Sequence, residues 1–115
     1  MIDKVCRNGL LYDFYGALLT DKQQYCFELH YLRDMSLSEI AGGLTVSRQA
    51  VHDILRRAEQ LLEDYEDKLQ LVSRYQKERK LLTELYADLD KLVDGHHEKK
   101  DIRLIQTRLK ELLDS

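Results

Sequence analysis

Ser36-Leu37-Ser38-Glu39-Ile40-Ala41-Gly42-Gly43-Leu44-Thr45-Val46-Ser47-Arg48-Gln49-Ala50-Val51-His52-Asp53-Ile54-Leu55-Arg56-Arg57 has the pattern of a short helix, a tight turn and a second helix. Ala41 is small enough to let two helices cross closely. Leu44 and Val46 are placed to plug the turn, and Ser47 can cap the second helix with its hydroxyl. Val51, Ile54 and Leu55 then recur at helical spacing and face inward. The same geometry leaves Arg48, Gln49, His52 and Arg56 outside, where a recognition helix meets base edges and phosphates. The stretch predicts a helix-turn-helix.

Working outward, the composition predicts an all-α protein: proline is absent, glycine numbers only 5 of 115 residues, and strong helix formers dominate. At 43% apolar residues the chain can bury a core without staples. No run of about 18 apolar residues and no basic-then-apolar leader is present, so a cytoplasmic, membrane-free location is expected. Cys6 and Cys26 form no metal or redox spacing and read as small buried hydrophobes.

Upstream, residues 2–19 predict a first helix with Leu10, Leu11, Phe14 and Leu18 on one face. Thr20 to Gln23 has capping-box form and starts a second helix with Tyr25, Leu29 and Leu32 as its stripe, ending near residues 33–35. Ser36 or Ser38 opens the short helix before the turn.

Downstream, the recognition helix does not stop where a minimal motif would. Val51, Ile54, Ala58, Leu61, Leu62, Tyr65, Leu69 and Val72 keep a three-and-four spacing for about six turns. A break is expected at Ser73-x-x-Gln76, a second capping-box candidate. Leu82, Leu85, Tyr86, Leu89, Leu92 and Val93 form the next stripe, Gly95 suits a C-cap, and residues 96–100 form a polar loop. A final helix carries Ile102, Ile105, Leu109, Leu112 and Leu113. The expected division is a head over 1–72, without a wing, and a helical hairpin over 73–115. The hairpin's stripes must be buried against each other, the head or a second copy, and we expect a homodimer through this region.

Charge restrains the nucleic-acid reading. Residues 36–57 carry three basic and two acidic side chains, and the whole chain carries a net charge of −3. A single excess positive charge at the contact surface implies weak phosphate affinity. Arg48 and Gln49 are placed for guanine and adenine edges, His52 for a base or phosphate, and Arg56 and Arg57 for backbone phosphate. Asp53 opposes phosphate unless it pairs with Arg57 four residues on, and Glu63, Asp64, Glu66 and Asp67 predict an acidic wall farther along. Thr45 stands where such turns favour Gly or Asn with positive φ, and Gly42 and Gly43 weaken the short helix, so a less rigid head is expected.

Enzyme signals are poor. No phosphate-binding glycine loop or nucleophilic triad is suggested, and His96-His97 beside lysines reads as a solvated pair. Neither a cofactor, a metal nor a small-molecule substrate is expected.

Taken together, Tyr12-Asp13-Phe14-Tyr15, Leu18-Leu19-Thr20-Asp21-Lys22-Gln23, Glu39-Ile40-Ala41, Val46-Ser47-Arg48-Gln49-Ala50-Val51 and Leu61-Leu62-Glu63-Asp64-Tyr65-Glu66 resemble the YlxM family. These are small bacterial proteins similar to region 4 of sigma-70 factors, and the resemblance spans about residues 8 to 72. It implies a regulatory or accessory role in the signal recognition particle pathway, since the family's gene neighbours those of the particle's GTPase and its receptor. The partners so implied are the particle's RNA or its GTPase. The competing readings are a sequence-specific DNA regulator and a protein-docking scaffold with no nucleic-acid role.

Overall fold

In a computed structural model, which describes residues 3–93 and 99–114, every regular element among the described residues is helical. The order is α1 (Lys4–Tyr15), a 3-10 turn (Gly16–Leu18), α2 (Asp21–Phe27) running into a π-turn (Glu28–Leu32), α3 (Leu37–Leu44), α4 (Arg48–Leu69), α5 (Leu71–Val93) and α6 (Lys99–Asp114). The chain divides into two compact units, Met1–Val72 and Ser73–Ser115.

Local chemistry sets most helix starts. Asp3 caps α1 by accepting from Cys6 N–H at 2.9 Å. Thr20 and Gln23 close both arms of the expected capping box at the start of α2. Ser36, not Ser38, opens α3, and Ser36 with Glu39 forms a second such box that the sequence reading passed over. Each satisfied cap is worth about 1 kcal/mol because it pairs N–H groups that have no partner within the helix.

In the first unit α4 is the hub: α1, α2 and α3 all pack on it. Leu11, Tyr15, Cys26, Phe27, Ile40, Val51, Leu55, Ala58 and Leu62 form the buried centre. Each large apolar side chain so enclosed contributes roughly 1.5–3 kcal/mol. Tyr12 stacks on Phe27 at 4.7 Å, and Phe27 meets Tyr31 at 4.5 Å. Among the described residues no helix is long and apolar enough to cross a membrane.

Several expectations are corrected. The first helix stops at Tyr15 and tightens into the 3-10 turn, so Leu11 and Tyr15 face the core while Phe14 and Leu18 are exposed. In α2 the inward residues are Cys26 and Phe27; Tyr25 and Leu32 are half-exposed or more. Past Phe27 the wider repeat of the π-turn shifts the phase that a uniform 3.6-residue reading assumes, which bears on Leu32 and not on Tyr25. Cys26 is fully buried as expected, whereas Cys6 is exposed. The break after α4 comes at Gln70, three residues before Ser73. Gln70 takes the left-handed conformation, and its amide donates to the carbonyls of Glu66 and Asp67.

The second unit is an antiparallel helical pair. Arg79 donates to Leu113 O, Gln106 Nε2 donates to Tyr86 O at 3.1 Å, and Arg103 contacts Asp90 at 3.0 Å. Its buried residues are Gln106 and Leu109, flanked by the half-buried Leu82, Tyr86, Leu89, Ile102 and Leu113. Lys99 and Lys100, assigned to the loop by sequence, begin α6. Gly95 and the His96-His97 pair lie outside the described residues.

Candidate nucleic-acid interface

The turn between α3 and α4 follows the path expected of a helix-turn-helix despite its unusual residue. Thr45 sits at φ 59° and ψ 43°, and Val46 N–H donates to Ala41 O at 3.1 Å, closing the end of α3. A β-branched residue in this region costs roughly 1–2 kcal/mol. The backbone closure and the packing of Leu44 and Val46 on the core outweigh it. Gly42 and Gly43 both lie inside α3, exposed, with nothing near their missing side chains.

Ser47 Oγ accepts from Ala50 N–H at 3.0 Å and so serves first as the cap of α4. Arg48 and Gln49 project from the first turn and are exposed. His52 is partly exposed; its Nδ1 is shielded and 3.7 Å from Asp53, too far for a hydrogen bond, which leaves Nε2 as the outward nitrogen. Arg56 and Arg57 are exposed one turn farther on. At about 100° per residue, Gln49, Asp53, Arg56 and Gln60 form the outermost stripe, with Arg57 across Asp53 from Arg56.

The sequence left Asp53 two options, opposing phosphate or pairing with Arg57. Its partner is Gln49, whose Nε2 donates at 2.9 Å, and not Arg57. An amide needs no charge to hold a carboxylate, so the pairing leaves Asp53 anionic in the middle of the stripe and Arg57 available. The acidic wall is also thinner than expected. Glu63 is clamped by Arg7 through two bonds of 2.7 and 2.8 Å, and these hold its carboxyl below the usual range. Glu66 is buried and bonded to Tyr15, and Asp64 accepts from Gln60. Of the four carboxylates, only Asp64 and Asp67 are exposed.

Beside this face, Arg56 lines an open cleft of about 320 Å³ between α1 and α4 with Lys4, Arg7, Asn8, Glu59, Gln60 and Glu63. Its carboxylates are occupied: Lys4 lies 3.6 Å from Glu59, Tyr31 donates to Glu59, and Arg7 holds Glu63. Among the described residues no group of three His, Cys, Asp or Glu is placed to hold a metal ion.

A capped helix whose first two turns bury one face and expose a polar one, crossed by a short helix through a tight turn, defines a helix-turn-helix protein. The comparisons agree. A family model described as "Putative helix-turn-helix protein, YlxM / p13 like", the UPF0122 family, matches residues 2–104, well past residue 72. A UPF0122 protein of Halalkalibacterium halodurans is 47% identical over 91 residues, covering 79% of this chain and 84% of that protein. One from Thermoanaerobacter sp. is 52% identical over 99 residues (86% and 74%), and one from Desulforamulus reducens is 54% identical over 87 residues (76% and 74%). The chain belongs to the UPF0122 (YlxM/p13-like) family.

Proposed function

We propose that this protein is a non-enzymatic accessory protein of the signal recognition particle pathway that binds nucleic acid through the first turns of α4. The carrying observation is the outward face of that helix: Arg48, Gln49, Arg56 and Arg57 exposed behind a formed Ser47 cap, with His52 beside them. Arg48 and Gln49 would read base edges, and Arg56 and Arg57 would hold phosphate. The pathway assignment rests on the resemblance to YlxM proteins, whose gene neighbours those of the particle's GTPase and its receptor. It is supported by the anionic Asp53 within the stripe, which suits a short contact with the particle's RNA or GTPase better than a long DNA track.

A sequence-specific DNA regulator is the second reading. The exposed Arg48-Gln49 pair at the helix start favours it, and it requires a dimer on a palindromic site. We also assign the protein as a cytoplasmic homodimer joined through residues 73–115.

The test is binding to a random duplex of about 30 base pairs and to the particle's RNA at two salt concentrations. RNA binding in preference to duplex, weakened by Arg48→Ala with Gln49→Ala, supports the pathway reading. Duplex binding at about 10 µM or tighter with a steep salt dependence supports the DNA reading. Absence of binding to both overturns the nucleic-acid role.

A further inference from the structure

The two sides of the helical pair in the second unit differ in charge. Its internal seam is made by Arg79, Leu82, Tyr86 and Leu89 on α5 and by Ile102, Gln106, Leu109 and Leu113 on α6. Successive residues step about 100° in one rotational sense, so in an antiparallel pair the residue after each seam residue turns to the same side. Two contacts bear this out: Arg103 reaches Asp90 at 3.0 Å, and Lys110 and Asp114 line one cleft with Arg79. Among the described residues this side carries Arg79, Lys80, Lys99, Arg103 and Lys110 against Asp90 and Asp114, five cations to two carboxylates. The opposite side carries Arg74 and Arg108 against Glu78, Asp88 and Asp101. The outer backs of the two helices carry Lys77, Lys91 and Lys100 against Glu84 and Glu111. The α4 stripe sets Arg48, Arg56 and Arg57 against Asp53. One side of this pair therefore holds a larger positive excess than the α4 stripe, in a chain whose net charge is −3.

The carboxylates do little to cancel that excess. Asp90 is already taken, by Arg103 and by Gln106 Nε2 at 3.4 Å. Among the described residues no carboxylate lies within 4 Å of Arg79, Lys80, Lys99 or Lys110. The cleft, of about 270 Å³, is lined by Arg79, Tyr86, Lys110, Leu113 and Asp114. Arg79 is held there: it donates to Leu113 O and lies 5.7 Å from the centre of the Tyr75 ring, and its guanidinium has further N–H groups to give. The bonds from 79 to 113 and between 86 and 106 set Lys110 level with Leu82. Arg79, Lys80 and Lys110 thus fall within about 5 Å of helix rise. Like charges so close repel one another, and an anion between them relieves the repulsion.

We propose that this side of the α5/α6 pair binds the phosphate backbone of a nucleic acid, with one phosphate at the cleft between Arg79, Lys80 and Lys110. Asp114 shares the cleft and opposes the anion, so three cations there meet one carboxylate. From the cleft the strand follows α6 past Thr107 and Arg103 to Lys99, which stands one turn before Arg103 on the same stripe. Lys110 to Lys99 is about 16 Å of helix, the length of roughly five nucleotides of one strand. Backbone contacts carry no sequence information. This surface therefore supplies affinity, and base reading stays with Arg48 and Gln49 on α4.

This surface rests on the nucleic-acid reading above, and salt titrations of the full chain separate the two. The probes are a mixed-sequence RNA of about 30 nucleotides and a duplex DNA of about 30 base pairs. Replacing Lys80, Lys99 and Lys110 together by Ala should lower the salt slope by about 2 on the RNA or about 3 on the duplex. Affinity should fall by about a hundredfold at low salt. The three lysines are exposed and make no hydrogen bond among the described residues, so helicity by circular dichroism should not change. Replacing Arg74, Lys77 and Arg108 by Ala removes the same charge from elsewhere on the pair and should move the slope by less than about 0.5. A loss confined to one probe names that nucleic acid as the occupant. Wild type that binds neither probe overturns both this surface and the nucleic-acid reading. Binding that is unchanged in the lysine variant, or that falls equally in both triple variants, overturns this surface alone and leaves α4 as the contact.

Discussion

Tyr15 Oη donates to Glu66 Oε1 at 2.5 Å, and both side chains are buried, at 1% and 5% exposure. The pair also caps the next helix: Leu71 N–H donates to Tyr15 Oη at 3.1 Å and Val72 N–H to Glu66 Oε1 at 3.0 Å. A tyrosine from α1 and a glutamate from α4 thus satisfy the free N–H groups at the start of α5, a task usually left to a local Ser or Asp.

Removing the phenol hydroxyl leaves a buried carboxylate short of one donor and a helix N–H without its acceptor. Tyr15→Phe is therefore expected to destabilise the first unit by about 2–3 kcal/mol, read from its urea midpoint. Glu66→Gln keeps an acceptor for Val72 and should cost less than Glu66→Ala. An equal loss from both would show that the carboxylate itself is required and that a neutral acceptor of the same shape cannot replace it.

The turn offers stabilising changes. Thr45 is exposed at φ 59°, so Thr45→Gly relieves strain without loss of packing and should raise stability by about 1 kcal/mol. Gly42→Ala and Gly43→Ala, with open space where the methyl would go, should each add roughly 0.5–1 kcal/mol. Gly16→Ala should act in the opposite direction, because its methyl would stand 2.8 Å from the Tyr12 ring. Thermal unfolding of the four variants checks all these signs together.

Stability should fall at both ends of the pH range. Burial, aided by the hydrogen bond to Glu28, pushes Tyr12 up to about 12, and burial raises Tyr31 and Cys26 as well. A raised folded value favours the protonated form in the native state. These contributions are therefore whole below the unfolded values, near 9 for Cys26 and 10 for the tyrosines, and drain away as pH climbs through the folded ones. On the acid side, Glu63 is lowered from 4.5 by Arg7, so its contribution is present above that value and is lost as pH falls through the folded one. Denaturant midpoints from pH 3 to 12 would show the plateau. Arg7→Ala should flatten the acid limb and Tyr12→Phe should shrink the alkaline one.

At the α4 face, Asp53→Asn removes the anion from the centre of the stripe. Affinity for nucleic acid should rise by about three- to tenfold at low salt and by less at high salt. Arg56→Ala or Arg57→Ala should reduce the salt slope by about 1 each. Salt titrations that leave the slope of both arginine variants unchanged would remove them from the phosphate-binding set.

Local chemistry made much of this protein legible in its sequence. The caps at Thr20 and Ser47, the inward Val51, Leu55, Ala58 and Leu62, and the six-turn length of α4 depend on interactions within a turn or two of chain. Residue types at fixed spacing therefore specify them, and with them the all-α class and the exposed faces of Arg48 and Gln49. What depended on distant partners was decided only in three dimensions. Packing on α4 chose Cys26 and Phe27 as the buried side of α2, and the π-turn at Glu28–Leu32 shifted the phase after it. Tyr15, 51 residues away, drew Glu66 out of the expected acidic wall and placed the helix break at Gln70. Gln49, not Arg57, took Asp53, since two side chains at the same spacing compete for one carboxylate and rotamer and surroundings select the winner. Periodicity reports which residues prefer burial; only packing decides which of the competing partners each polar group meets.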